Sequence, residues 1–395
     1  MNRRRFCVCT LGLPLLLPAL VRATDKGFAD YVRQQEQGFA DYQQQLENAF
    51  RQYLQLVESE FASYQHEVFQ KWGDRQIGSA RQLVRYAPDL ASREIIDYEK
   101  GVITLELIEH KDSPQVQTRL RNQLLEVATA TEVQMQKKDV IGQQIEQQMP
   151  EQFYAPARVS NDYVVADLLT GEQNPDNQQI SQAVLKAAGQ ATTATRPLAD
   201  GMQVYSLSIP LAAAKTSTRA DKYAGLANKY GRKEKIEPAL IMAIMHSESH
   251  FTPQARSHIP AYGLMQIVPQ SAGRDASAKV YGQQRLLSAS YLYNSENNIK
   301  IGTAYLGILY YRYLKNIKNH ESRLYCTIAA YNTGSGNVAR AFGYGTNIAR
   351  AAQSINQQTP QQVYNRLVNN LPYAETRKYL PLVVSRYQSY QKSMT

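Results

Sequence analysis

The chain has 395 residues, is 43% hydrophobic and 20% charged, and carries a formal net charge of +10. The length suggests two or three domains, and the hydrophobic content is enough for real cores. No internal run approaches the ~20 apolar residues that a transmembrane helix needs.

The chain begins with Arg3-Arg4-Arg5, continues through a nearly unbroken apolar stretch from Leu11 to Val21, and reaches Arg22-Ala23. A charged start, a short apolar stretch and a small residue at the end read as an export signal over residues 1–23, cleaved after Ala23. Arg3-Arg4-Arg5-Phe6 also fits a twin-arginine pattern, and equally a plain basic leader. Cleavage there would leave Cys326 as the remaining cysteine, so no intrachain disulfide would form. Cys326 sits in an apolar run and reads as a small buried hydrophobe. Removing four arginines takes the net charge from +10 to +6. That balance suits an anionic polymer. It accompanies no nucleic-acid module and no arginine-rich stripe, so nucleic acid is not the expected partner.

Residues 24–72 carry an 11-residue repeat. Phe28, Phe39, Phe50, Phe61 and Trp72 recur at that step, as do Tyr31, Tyr42, Tyr53 and Tyr64, with Gln35, Leu46, Val57 and Val68 between them. Eleven residues make almost three whole helical turns, so the positions stack into one nearly straight stripe. One long amphipathic helix of ~65–70 Å is expected. Its stripe needs a cover: the rest of the chain, self-association, or a partner helix.

Residues 73–212 read as a small α+β domain. Val102–Ile108 and Val204–Ile209 are short runs rich in β-branched residues and read as strands. Thr118–Val133 reads as a helix between them, Ser160–Leu169 with Thr170-Gly171 as a further strand and turn, and Gly189–Gly201 as an exposed loop. No acid–base cluster appears here. Positioning of a polymer or a purely structural role fits.

From residue 213 to 395 the pattern is almost wholly helical. Lys229-Tyr230-Gly231 is expected to end one helix and Pro238 to open the next. That second helix is apolar from Ala239 to Met245 and delivers Glu248 into a turn. Beyond it come Ser249-His250-Phe251-Thr252-Pro253, Ser257, and Tyr262-Gly263-Leu264-Met265-Gln266-Ile267-Val268-Pro269. A carboxyl group brought by a buried helix into an apolar turn keeps its proton toward neutral pH, because desolvation disfavours the charge. Such an acid can protonate a glycosidic oxygen. The bland alternative is a solvated helix-end residue, yet the helix dipole disfavours a Glu at that end. His246 and His250 stand four apart, as zinc ligands sometimes do, but no third ligand follows at motif spacing. Neither a metal nor a cofactor is expected, and the two histidines read as surface or cleft-rim residues.

The blocks E-S-x-F-x-P, Ser257, G-L-M-Q and Ala330-Tyr331-Asn332-Thr333-Gly334 occur in the order found in the lytic transglycosylases with a goose-lysozyme-like fold. The resemblance extends to Asn298–Leu306 and Glu375–Tyr379, and covers roughly residues 70–390. It implies an α+β multi-domain protein whose mainly α, lysozyme-like catalytic domain acts on peptidoglycan glycan strands in cell-wall turnover. Glu248 would be the catalytic residue. Ser257 and Gln266 would anchor the substrate's N-acetyl group, with Gly263, Met265 and Asn332 lining the cleft. Tyr331 would reach toward the acid, and Tyr379 is assigned to the cleft. Ordinary turn chemistry accounts equally for Ser257 and Gly263, and core packing for Met265 and Tyr379.

No second acid accompanies Glu248 in these blocks, whereas typical glycosidases use a pair. The resemblance supplies an account in which the substrate's N-acetyl oxygen assists departure and its 6-hydroxyl then attacks, leaving a 1,6-anhydro-muramoyl end. A lysozyme-type hydrolase and a non-catalytic glycan-binding scaffold are the alternatives. Related members of the family are outer-membrane lipoproteins acylated on a Cys after the apolar stretch. Here Cys7 and Cys9 precede that stretch, so a periplasmic enzyme without that anchor is expected.

Overall fold

The computed structural model describes residues 25–79, 81–155, 160–172, 174–211, 216–257 and 261–394. The export signal expected over residues 1–23 lies outside them. The chain divides into two compact units, one ending at Asn48 and the other beginning at Ala49. Helix α1 runs Asp25–Trp72. In the first unit its Phe28 and Tyr31 are exposed. In the second unit the 11-residue stripe turns inward, and Phe50, Tyr53, Val57, Val68 and Trp72 are buried. The helix stops at Gly73, whose φ of 69° is the left-handed cap that glycine adopts freely. Trp72 fixes this end: its indole N–H donates to the Leu90 carbonyl at 2.8 Å, and the Arg93 guanidinium lies 4.2 Å above its ring.

A five-stranded antiparallel sheet follows, in the order β1-β2-β3-β5-β4. The strands are β1 (Gln82–Tyr86), β2 (Ser92–Asp97), β3 (Val102–His110), β4 (Thr192–Pro197) and β5 (Met202–Pro210). Ile103, Leu105 and Leu107 alternate onto the buried face, and Leu105 pairs with Leu207 in the central ladder. Between β3 and β4 lie α2 (Val116–Ala128), α3 (Glu132–Lys137), α4 (Val140–Gln147), α5 (Ala166–Thr170) and α6 (Asn177–Gly189). Leu120, Leu124, Leu168, Ile180 and Val184 from these helices close one core with the sheet.

Three expectations for this region are corrected, and two strands are added. The helix expected over Thr118–Val133 is two: it breaks after Ala128, and Thr131 caps α3 through a reciprocal bond pair with Gln134. Ser160–Leu169 forms no strand, and Thr170-Gly171 is the C-terminal cap of α5, with Gly171 at φ 78°. The loop expected over Gly189–Gly201 contains β4, an edge strand exposed along its length and held by backbone bonds to β5. Strands β1 and β2 were not anticipated. Their charged residues hid the pattern, and those charges are paired: Arg85 with Glu94, and Arg93 with Asp74 and Glu106.

The remaining helices are α7 (Thr216–Glu234), α8 (Pro238–Ser249), α9 (Arg274–Tyr281), α10 (Ala289–Tyr293), α11 (Ser295–Ile308), α12 (His320–Thr333), α13 (Ser335–Ala341), α14 (Ile348–Ile355), α15 (Pro360–Asn370) and α16 (Ala374–Ser393). Helix α7 runs past Gly231, correcting the expected stop there. Gly231 is needed for closeness, since a Cβ would collide with the Ile236 carbonyl. Pro238 does open α8. Every residue from Ala239 to Met245 is buried, as befits a helix that is apolar all round; α7 and α16 pack beside it.

The sheet region and the helical body meet through buried polar contacts. Ser295 Oγ donates to Glu132 at 2.7 Å and the Ser290 amide to Glu146 at 2.9 Å. Arg219 joins the Tyr98 carbonyl in the β2–β3 turn to the His250 carbonyl beyond α8. Among the described residues no helix is long and apolar enough to cross a membrane.

Candidate active site

Glu248 is the penultimate residue of α8, and the chain leaves the helix through two successive left-handed residues, His250 (φ 51°) and Phe251 (φ 62°). The C-terminal carbonyls of a helix need donors and favour positive charge. Arg386 supplies both, donating to the His246 carbonyl at 2.8 Å, and Arg219 donates to the His250 carbonyl at 2.6 Å. Ser249 fastens the turn from below through bonds to the Met245 and Leu264 carbonyls. The exit from α8 is therefore rigid, and the Glu248 side chain starts from a fixed place.

Glu248 itself is largely buried, and burial pushes its carboxyl up to about 7. The Tyr379 hydroxyl opposes that rise by donating to Oε1 at 2.6 Å. Glu375, exposed at the start of α16, is the acid whose charge adds to it. A carboxyl poised near 7 can hold a proton and later accept one within a narrow pH range.

Beside it the G-L-M-Q turn is closed by paired bonds between Tyr262 and Ile267. Gly263, at φ 74°, leaves room for Asn298, which a Cβ would strike. Asn298 is the hub of this turn. Its amide nitrogen donates to the Tyr262 and Leu292 carbonyls, and its oxygen accepts from the Met265 amide, each at 2.8 Å. Gln266 is held at φ 46°, and its side-chain nitrogen donates to the Ala255 and Gly263 carbonyls. Met265 is fully buried, its sulfur filling the space over Gly302. Its side chain packs in the core, and its carbonyl is the group the site uses.

That carbonyl receives the Tyr331 hydroxyl at 2.8 Å. The resemblance had Tyr331 reaching for the acid; here Tyr379 makes that bond, and Tyr331 steadies the turn. Burial, and then the charge of Glu248, push the Tyr331 phenol well up, so the two groups remain neighbours. Asn332 accepts from the buried Thr376 hydroxyl at 2.6 Å, tying the end of α12 to the start of α16. Ser257 accepts from the Ala261 amide and lines a cavity of about 390 Å³ with Phe61, Tyr64 and Arg256; Glu248 is not in that lining.

The two histidines are not surface residues. Their rings meet edge-on at 5.2 Å, and each is engaged from α16, His246 by Tyr390 and His250 by Arg386. Burial first, and Arg386 second, lower them to about 3 and about 4, so both are neutral. Sequence reasoning gave no role to Asn298, Arg219, Arg386 or Thr376. The available signals were that Asn298 opens the Asn298–Leu306 block of the resemblance and that Thr376 lies in its Glu375–Tyr379 block.

Residues 225–353 match the family described as Transglycosylase SLT domain, and residues 43–181 match Membrane-bound lytic murein transglycosylase C, N-terminal domain. The membrane-bound lytic murein transglycosylase C of Sodalis glossinidius is 44% identical over 190 residues, which are 48% of this chain and about half (52%) of that protein. The protein of that name from Klebsiella pneumoniae is 33% identical over 335 residues, covering 83% of this chain and 87% of the relative. Among solved structures, the 70 kDa soluble lytic transglycosylase of Escherichia coli aligns at 18% identity and a TM-score of 0.35, over 70% of this chain and 43% of that one.

Proposed function

The chain belongs to the membrane-bound lytic murein transglycosylase C family, and from that premise we propose that Glu248 is the acid, and then the base, of its reaction. The protein is a peptidoglycan lytic transglycosylase. The observation that carries the assignment is the Glu248 carboxyl, near 7 and bonded to Tyr379, at the rigid end of a buried helix.

In the first step protonated Glu248 gives its proton to the oxygen of the MurNAc–GlcNAc β-1,4 bond, while the substrate's N-acetyl oxygen assists departure. The Tyr379 bond favours the carboxylate that results. In the second step that carboxylate takes the proton of the sugar's own 6-hydroxyl as it attacks the anomeric carbon. The attack is intramolecular, so proximity supplies much of the acceleration, and the product ends in 1,6-anhydro-muramic acid. Gln266, Ser257 and Asn332 are read as contacts to the strand, with Gly263, Met265 and Tyr331 shaping the turn that carries Gln266.

The domain limits that follow are an export signal over 1–23, the striped helix over 24–72, an α+β region over 73–212 that positions the strand, and the catalytic part over 213–395. The leader supports export to the periplasm, where the substrate lies. The exposed Phe28 and Tyr31 support self-association through the first turns of the stripe; a monomer by light scattering at micromolar concentration would remove that idea. The central reading is tested by mass spectrometry of fragments released from purified peptidoglycan. Ends lighter by one water than reducing ends are expected, whereas reducing ends would make water the nucleophile and overturn the mechanism.

A further inference from the structure

At the opposite end of α8 from Glu248 lies a groove of about 600 Å³. Eleven residues separate Glu237 at its edge from Glu248, roughly 17 Å along the helix. The groove is lined by Tyr310, Tyr311, Tyr325 and Tyr387, with Lys235 and Arg323 among them. Tyr310 and Tyr311 belong to a π-helical turn, Leu309–Tyr313, that ends the run of α11; a second such turn, Pro269–Gly273, leads into α9. Such turns are rare and concentrate at functional sites. The two rings stand edge to face, 4.9 Å apart, and Tyr311 is 46% exposed.

Each hydroxyl is tied to the protein. Tyr311 donates to the Lys235 carbonyl at 2.7 Å, Tyr325 to Glu321 and Tyr387 to Glu237, both at 2.5 Å, and Tyr310 meets His320 Nδ1 at 3.0 Å. Anchored hydroxyls hold the rings still, so a ligand stacking on them meets surfaces that are already ordered. The acids of the groove, Glu237 and Glu321, are engaged by those hydroxyls. Lys235 is exposed, whereas Arg323 lies 5.0 Å over the Tyr310 ring and donates to the Ile317 and Lys315 carbonyls.

We propose that this tyrosine groove is a second glycan-binding site, which holds a stretch of peptidoglycan strand away from the bond being cut. The exposed Tyr311 ring, flanked by the half-buried Tyr310 and Tyr325, suits the apolar faces of N-acetylated sugar rings, and the exposed Lys235 suits the carboxylates of the peptide stems. A polymer grasped at two places on one domain stays near the cleft after each cleavage, because the second contact raises its effective concentration there. The proposal rests on the peptidoglycan reading above.

The test uses the full chain carrying Glu248→Gln, co-sedimented with purified peptidoglycan sacculi. Adding Tyr310→Ala with Tyr311→Ala is expected to weaken apparent binding about tenfold. The pair Tyr310→Phe with Tyr311→Phe keeps the faces and is expected to bind within about twofold of the parent. With Glu248 restored, the Ala pair should cleave a short soluble strand at the parent rate and sacculi more slowly. Unchanged sedimentation of the Ala pair, or an equal loss in the Phe pair, overturns the proposal. So does equal loss of rate on both substrates, which would mean a merely structural role. A dimer that the Ala pair dissociates, with sacculus binding intact, would make the groove a self-interface and overturn it too. Cleavage by the unmodified chain is scored separately: tyrosine-dependent sedimentation without any cleavage supports the groove and removes the transglycosylase reading instead.

Discussion

The Tyr379 hydroxyl stands 2.6 Å from Glu248 Oε1, joining α16 to the end of α8 across 131 residues of chain. The bond is strongest when Glu248 is ionised, because the acceptor is then charged. It therefore holds down a carboxyl that burial drives up, and it keeps that carboxyl able to act in both directions.

Replacing Tyr379 by Phe should raise the Glu248 carboxyl further above 7. Since the first step needs the protonated acid, the alkaline limb of the pH–rate profile is expected to move to higher pH. The maximal rate should fall roughly tenfold to a hundredfold, the span of a hydrogen bond to a charged group. An unshifted limb would show that this bond does not tune the acid.

Glu248→Gln should abolish cleavage and, at the same time, stabilise the fold in a pH-dependent way. The folded carboxyl titrates near 7 and the unfolded one near 4.5. Between those values the folded state binds more protons, so Glu248 costs increasing stability as pH rises through the window. The Tm gain of the variant should be near zero at pH 4, grow from pH 5 to 7, and level off above 7. A gain independent of pH would refute the perturbed carboxyl.

Asn298→Ala removes three bonds in a fully buried place, taking the partner of the Met265 amide and a donor from the Leu292 carbonyl, while the Tyr262 carbonyl keeps the Ile267 amide. At about 1–3 kcal/mol for each of those two groups, a loss of about 2 kcal/mol or more is expected. It is read as a lowered denaturation midpoint with an unchanged slope.

Arg219→Met cuts the link between the Tyr98 carbonyl and the His250 carbonyl. Melting should fall by several degrees, and kcat more than KM, because the exit of α8 loosens while the strand contacts stay. A drop in KM-dependent terms alone would argue that Arg219 touches substrate.

Helix α8 was legible because one short stretch carries all its signals: Pro238 at the start, an unbroken apolar run, and Glu248 at the end. The paired turn at Tyr262–Ile267 and the strands β3 and β5 were legible for the same reason. Strands β1 and β2 were not, since Arg85, Arg93 and Glu94 break the apolar pattern and become tolerable only with Asp74 and Glu106 beside them. Strand β4 has no apolar face to show, and exists through backbone bonds to β5.

By itself, then, the amino-acid order determined α8, β3, β5 and the 11-residue stripe, because periodicity and capping act over a few turns. Tertiary structure decided which tyrosine meets the acid, that Asn298 would hold the turn, and that two arginines would satisfy carbonyls in the last turn of α8 and just past it. Those choices depend on which distant atoms a buried polar group can reach once water is gone, and no local pattern in the chain encodes that distance.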